Sequence, residues 1–411
     1  MSFSLVILLL VFLGIAIRQF FRVRIKIYQI MSLGALTAVL TGQISLHSAW
    51  MAIDWSILFF LFGMFILGQA LEQGGLLSIL VEKLFLSTCS LRKLVAIIVF
   101  GTGLFSALFM NDTLAIIGTP LLLKVAHYRR MNPQPLLLGL AFSITVGSIM
   151  SPIGNPQNLF IALQTPIDHP FIVFFQSLAL PTLINLILLY FMTVYLARNA
   201  KQQITKPLVS TRYDTRLVYC SKIALALVFA SLLYNITASL LSFPSLPSLP
   251  LPWIALVPAF FLLFFTPRRK NLLTHLDWGT LMFFIAMFVL MRSVWETSEI
   301  KDWVLQAPPS TLGILGLSVI ASQFISNVPL VALYLPILKA QTHTLLPFMA
   351  LSAGSTLAGN FFLFGAASNV IILQNAEKRG SCGIPFWRFS LYGIPFTLVN
   401  LAIFWAYLAY Q

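Results

Sequence analysis

Four interrupted apolar stretches hold the side chains in this sequence that can do chemistry. At Phe109-Met110-Asn111-Asp112-Thr113 an amide, a carboxylate and a hydroxyl sit where an apolar run breaks. Ile325-Ser326-Asn327-Val328-Pro329 is a second break, without the acid. Ser151-Pro152-Ile153-Gly154-Asn155-Pro156-Gln157-Asn158 interrupts a third run, and Gly359-Asn360 with Gly365-Ala366-Ala367-Ser368-Asn369 interrupts a fourth. Where one helix stops and another starts, the flanking carbonyls and amides lack intrahelical partners. Helix N-termini present a positive dipole end to an anion or a polar oxyacid. Unwound carbonyls with Ser, Thr and Asn oxygens suit Na⁺. Glycine lets a ligand approach the backbone, and proline stops the helix from continuing.

On this reasoning Asn111, Thr113, Asn155, Asn158, Ser326, Asn327, Asn360, Ser368 and Asn369 are candidate substrate ligands. Asp112, Ser151, Gly154 and Gly365 are candidates for handling a coupling ion, H⁺ or Na⁺. Helix capping explains any one Asn, Ser or Thr about as well. The set favours a site, because the same residue types recur in both halves of the chain. Thr145 and Thr356 belong at the cavity wall. Asp112 is the one carboxylate expected deep in an apolar environment, where an ionisable group is a functional candidate by default. It takes up a proton, helps bind a cation, or caps the returning helix. Its counterpart in the second half is Val328.

The remaining polar groups read more plainly. Glu72 and Glu296 fall at span ends and face water. Asp54 and Asp277 precede Trp at span starts, as N-caps and interfacial anchors. Arg292 snorkels to the outer interface. His47, His127, His169, His275 and His343 lie in loops or at span ends without metal-ligand spacing, so no metal or other cofactor is expected. There is no HExxH, GxSxG or phosphate-binding GxxxxGK[ST], so neither an enzyme nor an ATPase is indicated.

The elements that must position these breaks are membrane helices. Of 411 residues 59% are hydrophobic and 9% charged, against about 25% charged in a soluble domain. That composition excludes a soluble fold, disorder and a fibrous repeat. Uninterrupted apolar runs cover 3–17, 27–44, 53–71, 171–197, 223–241, 253–266, 278–295 and 389–409. The runs 94–126 and 311–339 read as re-entrant hairpins, and 136–165 and 347–376 as discontinuous spans. The fold class expected is therefore an all-α polytopic membrane protein of about 11 transmembrane segments, with non-helical backbone buried around an internal site.

The net charge of +14 serves topology rather than nucleic acid. With both termini outside, clusters such as Arg18-to-Lys26, Lys83, Arg92, Lys93, Arg268-Arg269-Lys270 and Lys378-Arg379 fall inside, so that 22 of 25 basic residues are cytoplasmic. This holds only if both hairpins return to the side they left. Lys301 and Lys339 fall outside. A plasma membrane (bacterial inner membrane) location follows, with 3–17 as a retained span. Cys89, Cys220 and Cys382 fall in inner segments and read as incidental thiols.

The chain also repeats. Asp54-Trp55 matches Asp277-Trp278 at an offset of 223, Asn111 and Pro120 match Asn327 and Pro336 at 216, and Thr145 and Asn158 match Thr356 and Asn369 at 211. This divides it into a first repeat, 1–197, a basic cytoplasmic linker, 198–222, and a second repeat, 223–411, of opposite orientation. Inverted repeats with broken helices at the midplane mark secondary transporters. The Pro-rich 243–252 reads as an outer loop.

At the breaks the chain resembles the ion transporter superfamily, nearest its arsenical-pump-membrane-protein and NhaD-type antiporter branch, the citrate-transporter-like permeases. The residues that carry the resemblance are Asn111-Asp112-Thr113 with Thr119-Pro120, Ile153-Gly154-Asn155-Pro156-Gln157-Asn158, Ser326-Asn327-Val328-Pro329 with Pro336, and Ala358-Gly359-Asn360 with Ser368-Asn369. The resemblance implies scaffold and transport regions, a homodimer, elevator-like movement, and, in the arsenical-pump case, a cytosolic ATPase partner. Members move arsenite or antimonite, dicarboxylates, citrate, sulfate, silicic acid or Na⁺. The sodium-dicarboxylate branch carries Ser-Asn-Thr at its tips. Here Asp112 and Val328-Pro329 depart from it, and no Arg or Lys is expected in the core. The expectation is a proton-coupled permease for a small inorganic anion or neutral oxyacid such as arsenite. A Na⁺/H⁺ antiporter or a Na⁺-coupled carboxylate or sulfate carrier is the alternative.

Overall fold

The computed structural model describes residues 2–21, 25–76, 79, 90–198, 214–240, 249–296, 310–342, 344–379, 381 and 383–410. Arg22, Arg24, Lys83, Lys301, Cys89, Cys382, His343, the Pro-rich 243–248 and most of the 198–222 linker lie outside the described residues. Every regular element among those described is helical.

The uninterrupted runs form α1 (Phe3–Phe21), α2 (Ile27–Leu40), α4 (Trp55–Gly74), α10 (Pro170–Arg198), α11 (Thr215–Leu240), α12 (Leu251–Phe265), α14 (Trp278–Trp295) and α19 (Phe386–Ala409). A short α3 (Leu46–Ala52) leads into α4, and α13 (Arg269–Thr274) leads toward α14. Five of these helices are long and apolar enough to cross a membrane: α4, α10, α11, α14 and α19. Their termini follow from local chemistry. The Asp54 carboxylate accepts from Ile57 N at 3.1 Å to start α4, which ends on the left-handed Gly75 (φ 78°). Asp277 caps α14 by accepting from Thr280 N at 3.0 Å. Both caps match the sequence expectation.

The interrupted runs break where the sequence predicts. The first hairpin ascends through α5 (Leu91–Ala96), a π turn at Ile97–Gly101 and α6 (Thr102–Ser106), turns over 107–110, and returns as α7 (Asn111–Tyr128). The second is α15 (Thr311–Ile325) and α16 (Asn327–Gln341), joined at Ser326 alone. The broken spans are α8 (Gln134–Ser148) with α9 (Pro156–Gln164), and α17 (Leu346–Leu357) with α18 (Ala367–Lys378). Two 3₁₀ turns, Ala358–Asn360 and Leu363–Gly365, lie between the last two helices. At 1.5 Å per residue α8 is about 22 Å long, short of a bilayer's roughly 30 Å of hydrocarbon.

The core lies between these half-length elements. All fifteen residues of α8 are buried. The Phe142 ring packs on Phe389 and Phe396 of α19, with centroids 5.0 and 5.4 Å away. The long helices are two-faced: in α10 Phe174, Leu178 and Leu189 are buried, while Phe175, Ile187 and Phe191 are exposed. An apolar outward face on this scale is a lipid contact. The packing also pairs across the chain. α6 packs on α8 as α15 packs on α17; α7 lies against α18 as α16 lies against α9; α4 lies against α12 as α14 lies against α2.

Candidate functional site

The two hairpin turns and the two helix breaks meet at one cavity of about 890 Å³. Its wall includes the first turns of α7 (Asn111, Asp112), α9 (Pro156, Gln157), α16 (Asn327, Val328) and α18 (Ala367, Ser368). Four half-helix N-termini thus face one space, each the positive end of its helix dipole. The start of α14 also reaches the wall, but its amide end is occupied by the Asp277 cap.

Each N-terminus has a local cause. Asn155 is extended (φ −154°), and its side chain accepts from Asn158 N at 2.8 Å. Pro156 then occupies the first helical position, where its missing N–H costs nothing. Ser326 turns between α15 and α16 with φ 71° and ψ 158°, a backbone region for glycine that costs another residue about 1–3 kcal/mol. Asn111 N donates to Gly154 O at 3.3 Å, so the first hairpin tip rests on the first break. Gly154 permits this, because a methyl there would lie 2.4 Å from Ser148 O.

The two breaks use their polar groups differently. In the first, nearly everything is consumed. The Asn158 amide donates to the carbonyls of Ser148, Ile149 and Ser151 at 3.0–3.2 Å. Its oxygen accepts from Ser352 Oγ at 2.7 Å and Thr356 Oγ1 at 3.4 Å. Asn155 Nδ2 donates to Ser148 Oγ and Thr356 Oγ1, and Ser151 Oγ accepts from Ile153 N. In the second break Asn369 Nδ2 donates to Gly359 O at 2.6 Å. Asn369 Oδ1, Ser368 Oγ and both side-chain atoms of Asn360 are buried without a protein partner, as are Asn111 Oδ1 and Asn327 Oδ1 at the tips. A buried unsatisfied polar atom costs about 1–3 kcal/mol, so these atoms are the ones with capacity for a ligand.

Of the predicted residues, Asn111, Asp112, Ser326, Asn327 and Ser368 line the cavity. Asn155 and Asn158 are buried behind it, bracing α9 to α17. Asn360, Asn369 and Gly365 are buried around the second break, where Gly365 abuts Ala358 O. Thr113 faces α4, with Gly68 packed on its hydroxyl. Thr145 Oγ1 donates to Ala141 O within its helix, and Thr356 accepts from Asn155 and Gln157. Lys26, Tyr28, Asp277 and Gln374 also line the cavity and were not predicted to. Lys26 and Asp277 looked like ordinary loop and cap residues; the 223 offset paired Asp277 with Asp54 but carried no sign that its end of the fold is open. Thr182 and Asn185 recur as Thr397 and Asn400 at an offset of 215, and all four are buried, a repeat that the breaks alone do not point to.

Re-entrant hairpins and broken helices enclosing a polar cavity, inside a bundle with an apolar exterior, define a membrane transporter rather than an enzyme. The chain belongs to the citrate transporter family (CitMHS), which matches residues 7–347. It is 29% identical to the silicon efflux transporter LSI3 of Oryza sativa subsp. japonica, over 90% of each chain. It is 28% identical to the inner membrane protein YbiR of Escherichia coli, over 84% of this chain and 86% of that one. Among solved structures the fold is similar to the YdaH transporter of Alcanivorax borkumensis, with a TM-score of 0.58 at 18% identity over 92% and 88% of the two chains. It is also similar to MtrF of Neisseria gonorrhoeae, with a TM-score of 0.54 at 15% identity over 91% and 83%.

Proposed function

We propose that this chain is a proton-coupled secondary transporter for a small inorganic anion or neutral oxyacid, arsenite and silicic acid being the type, working by elevator-like alternating access in a homodimer. The observation that carries the reading is the convergence of four half-helix N-termini on one cavity. That geometry favours oxygen-rich, electron-dense ligands. The unpaired Asn and Ser side chains at its wall add neutral hydrogen-bonding capacity of the kind a polyhydroxylated acid needs. The name of the rice relative, a silicon efflux transporter, points the same way. Asp112 is the ionisable group in the first helical turn at the cavity, and we assign it the coupling proton. The recurring packing of the two halves supports two inverted repeats, 1–197 and 223–411, and the basic clusters support an inner-membrane orientation with both termini outside.

A second reading rests on Lys26. Its place in the cavity wall supplies a cation for a carboxylate, contrary to the expected absence of Lys and Arg, and the family name is that of citrate carriers. The test is a panel of silicic acid, arsenite, citrate and Na⁺ in proteoliposomes under an imposed pH difference, with a pH-sensitive dye. Uptake of arsenite or silicic acid with a dye signal, lost in Asp112→Asn, is the expected result. A dye signal from Na⁺ alone sinks the oxyacid reading, and citrate alone establishes the second.

A further inference from the structure

The cavity does not end at Asp112. A small space of about 50 Å³, lined by Gly68, Glu72, Asp112, Thr113 and Asp277, adjoins it. On the far side of Glu72 lies a pocket of about 420 Å³ whose wall includes Gln69, Glu72, His275 and Lys378. Asp112 and Asp277 line both the main cavity and the small space; Gln69 and Glu72 line both the small space and the larger pocket beyond. The small space has room for one or two waters at about 30 Å³ each.

Local packing sets this spacing. A methyl on Gly68 would lie 2.9 Å from Thr113 Oγ1, so α4 and α7 touch beside Asp112. Glu72 stands one turn further along α4, about 6 Å by helical rise. His275 Nδ1 is 2.9 Å from Asn271 O, and a carbonyl only accepts, so Nδ1 carries the hydrogen and Nε2 keeps the basic lone pair. Asp277 is occupied otherwise: its carboxylate accepts from Thr280 N at 3.0 Å and Thr280 Oγ1 at 2.6 Å.

The charged groups facing this path come from every side of it. α18 brings Lys378, with Arg379 close enough to act on Glu72; the end of α13 brings His275; the α14 cap brings Asp277; Lys26 and Tyr28 stand across the main cavity. α9, α11 and α12, which also pack on α4, place no titratable side chain among the lining residues.

We infer that Glu72 and His275 carry the coupling proton between Asp112 and the pocket beside Lys378. A protonated Asp112 releases its proton through water to the Glu72 carboxylate and is left anionic. Glu72 passes the same proton to His275 Nε2 or to pocket water, and one H⁺ has moved with no bond formed elsewhere. This rests on the proton-coupled reading of Asp112. It adds a route separate from the substrate's, so that the proton can leave while the substrate stays bound.

The experiment reconstitutes the full chain and measures two things with silicic acid, arsenite and citrate in turn: pH-driven net uptake with its dye signal, and isotope exchange at equal pH. General acid–base groups in a transfer step contribute about 100-fold or more. Glu72→Gln is therefore expected to lower net uptake at least about tenfold while exchange falls less than about twofold, with Glu72→Asp restoring part of the net rate. His275→Asn is expected to slow net uptake and shift its pH profile. If Glu72→Gln keeps the full dye signal while Asp112→Asn abolishes it, the proton takes another path and the inference is wrong, though the coupling stands. Equal loss of exchange and net uptake makes Glu72 a substrate or folding residue and also overturns it. If Asp112→Asn transports with unchanged pH dependence, or wild type moves none of the three with a dye signal, the coupling fails and the route with it.

Discussion

Asn158 and Asn327 are the same residue type at the same kind of break, yet they do different work. Asn158 has every polar atom engaged: three carbonyls accept from its amide and two hydroxyls donate to its oxygen. Asn327 lines the cavity, and its buried side-chain oxygen has no protein partner. Asn158→Ala orphans several buried groups at about 1–3 kcal/mol each, less what they recover among themselves. A large drop in thermal stability of the detergent-purified protein is expected. Asn327→Ala removes an amide whose oxygen has no hydrogen-bond partner in the fold. A melting temperature near wild type with weaker substrate affinity is expected, read by substrate-induced thermal shift. Stability loss of the same size in both variants refutes this division between brace and ligand.

At the scale of elements the turn geometry decides, and Ser326 shows it most directly. It joins α15 to α16 as a single residue at φ 71°, where glycine is at ease and serine is strained. Ser326→Gly is expected to raise the melting temperature by removing that strain while leaving transport within about twofold, since Asn327 keeps its place. A lower melting temperature shows instead that the serine side chain holds the turn. Much of this level was legible in the sequence. The hairpins and broken spans follow from apolar runs too short to cross and from Asn, Gly and Pro at their centres; Asp54 and Asp277 follow as caps before Trp. The π turn at Ile97–Gly101 did not follow, because Ile-Ile-Val-Phe-Gly reads as ordinary helix. Nor did the unequal use of the two breaks. Asn155 caps α9, Asn158 holds three carbonyls of its own break, and both meet hydroxyls of α17, whereas Asn369 reaches Gly359 O alone; a single chain's spacing does not reveal those pairings.

For the whole molecule, the proposed two-fold relation makes a prediction about the state not seen here. At one end of the fold the Gln164 amide donates to the Asp54 carboxylate, and Gln164 O accepts from Lys339 Nζ at 2.6 Å. These contacts tie α4, α9 and α16 together at that end. The repeat offsets of 223 and 211 carry Asp54 to Asp277 and Gln164 to Asn375. At this other end no hydrogen bond joins the equivalents: Asp277 lines the main cavity while Asn375 lines the pocket beside Lys378. If the transport region moves against the scaffold about the shared site, the second pair must close as the first opens. In a background with Cys89, Cys220 and Cys382 replaced by Ser, Asp54→Cys with Gln164→Cys is expected to cross-link readily and arrest transport until reduced. Asp277→Cys with Asn375→Cys is expected to cross-link only in a fraction of molecules, to exclude the first cross-link when both pairs are present, and also to arrest transport. Steady transport by a protein cross-linked at either end refutes alternating access between these two faces. Simultaneous formation of both cross-links refutes the exchange of one closure for the other.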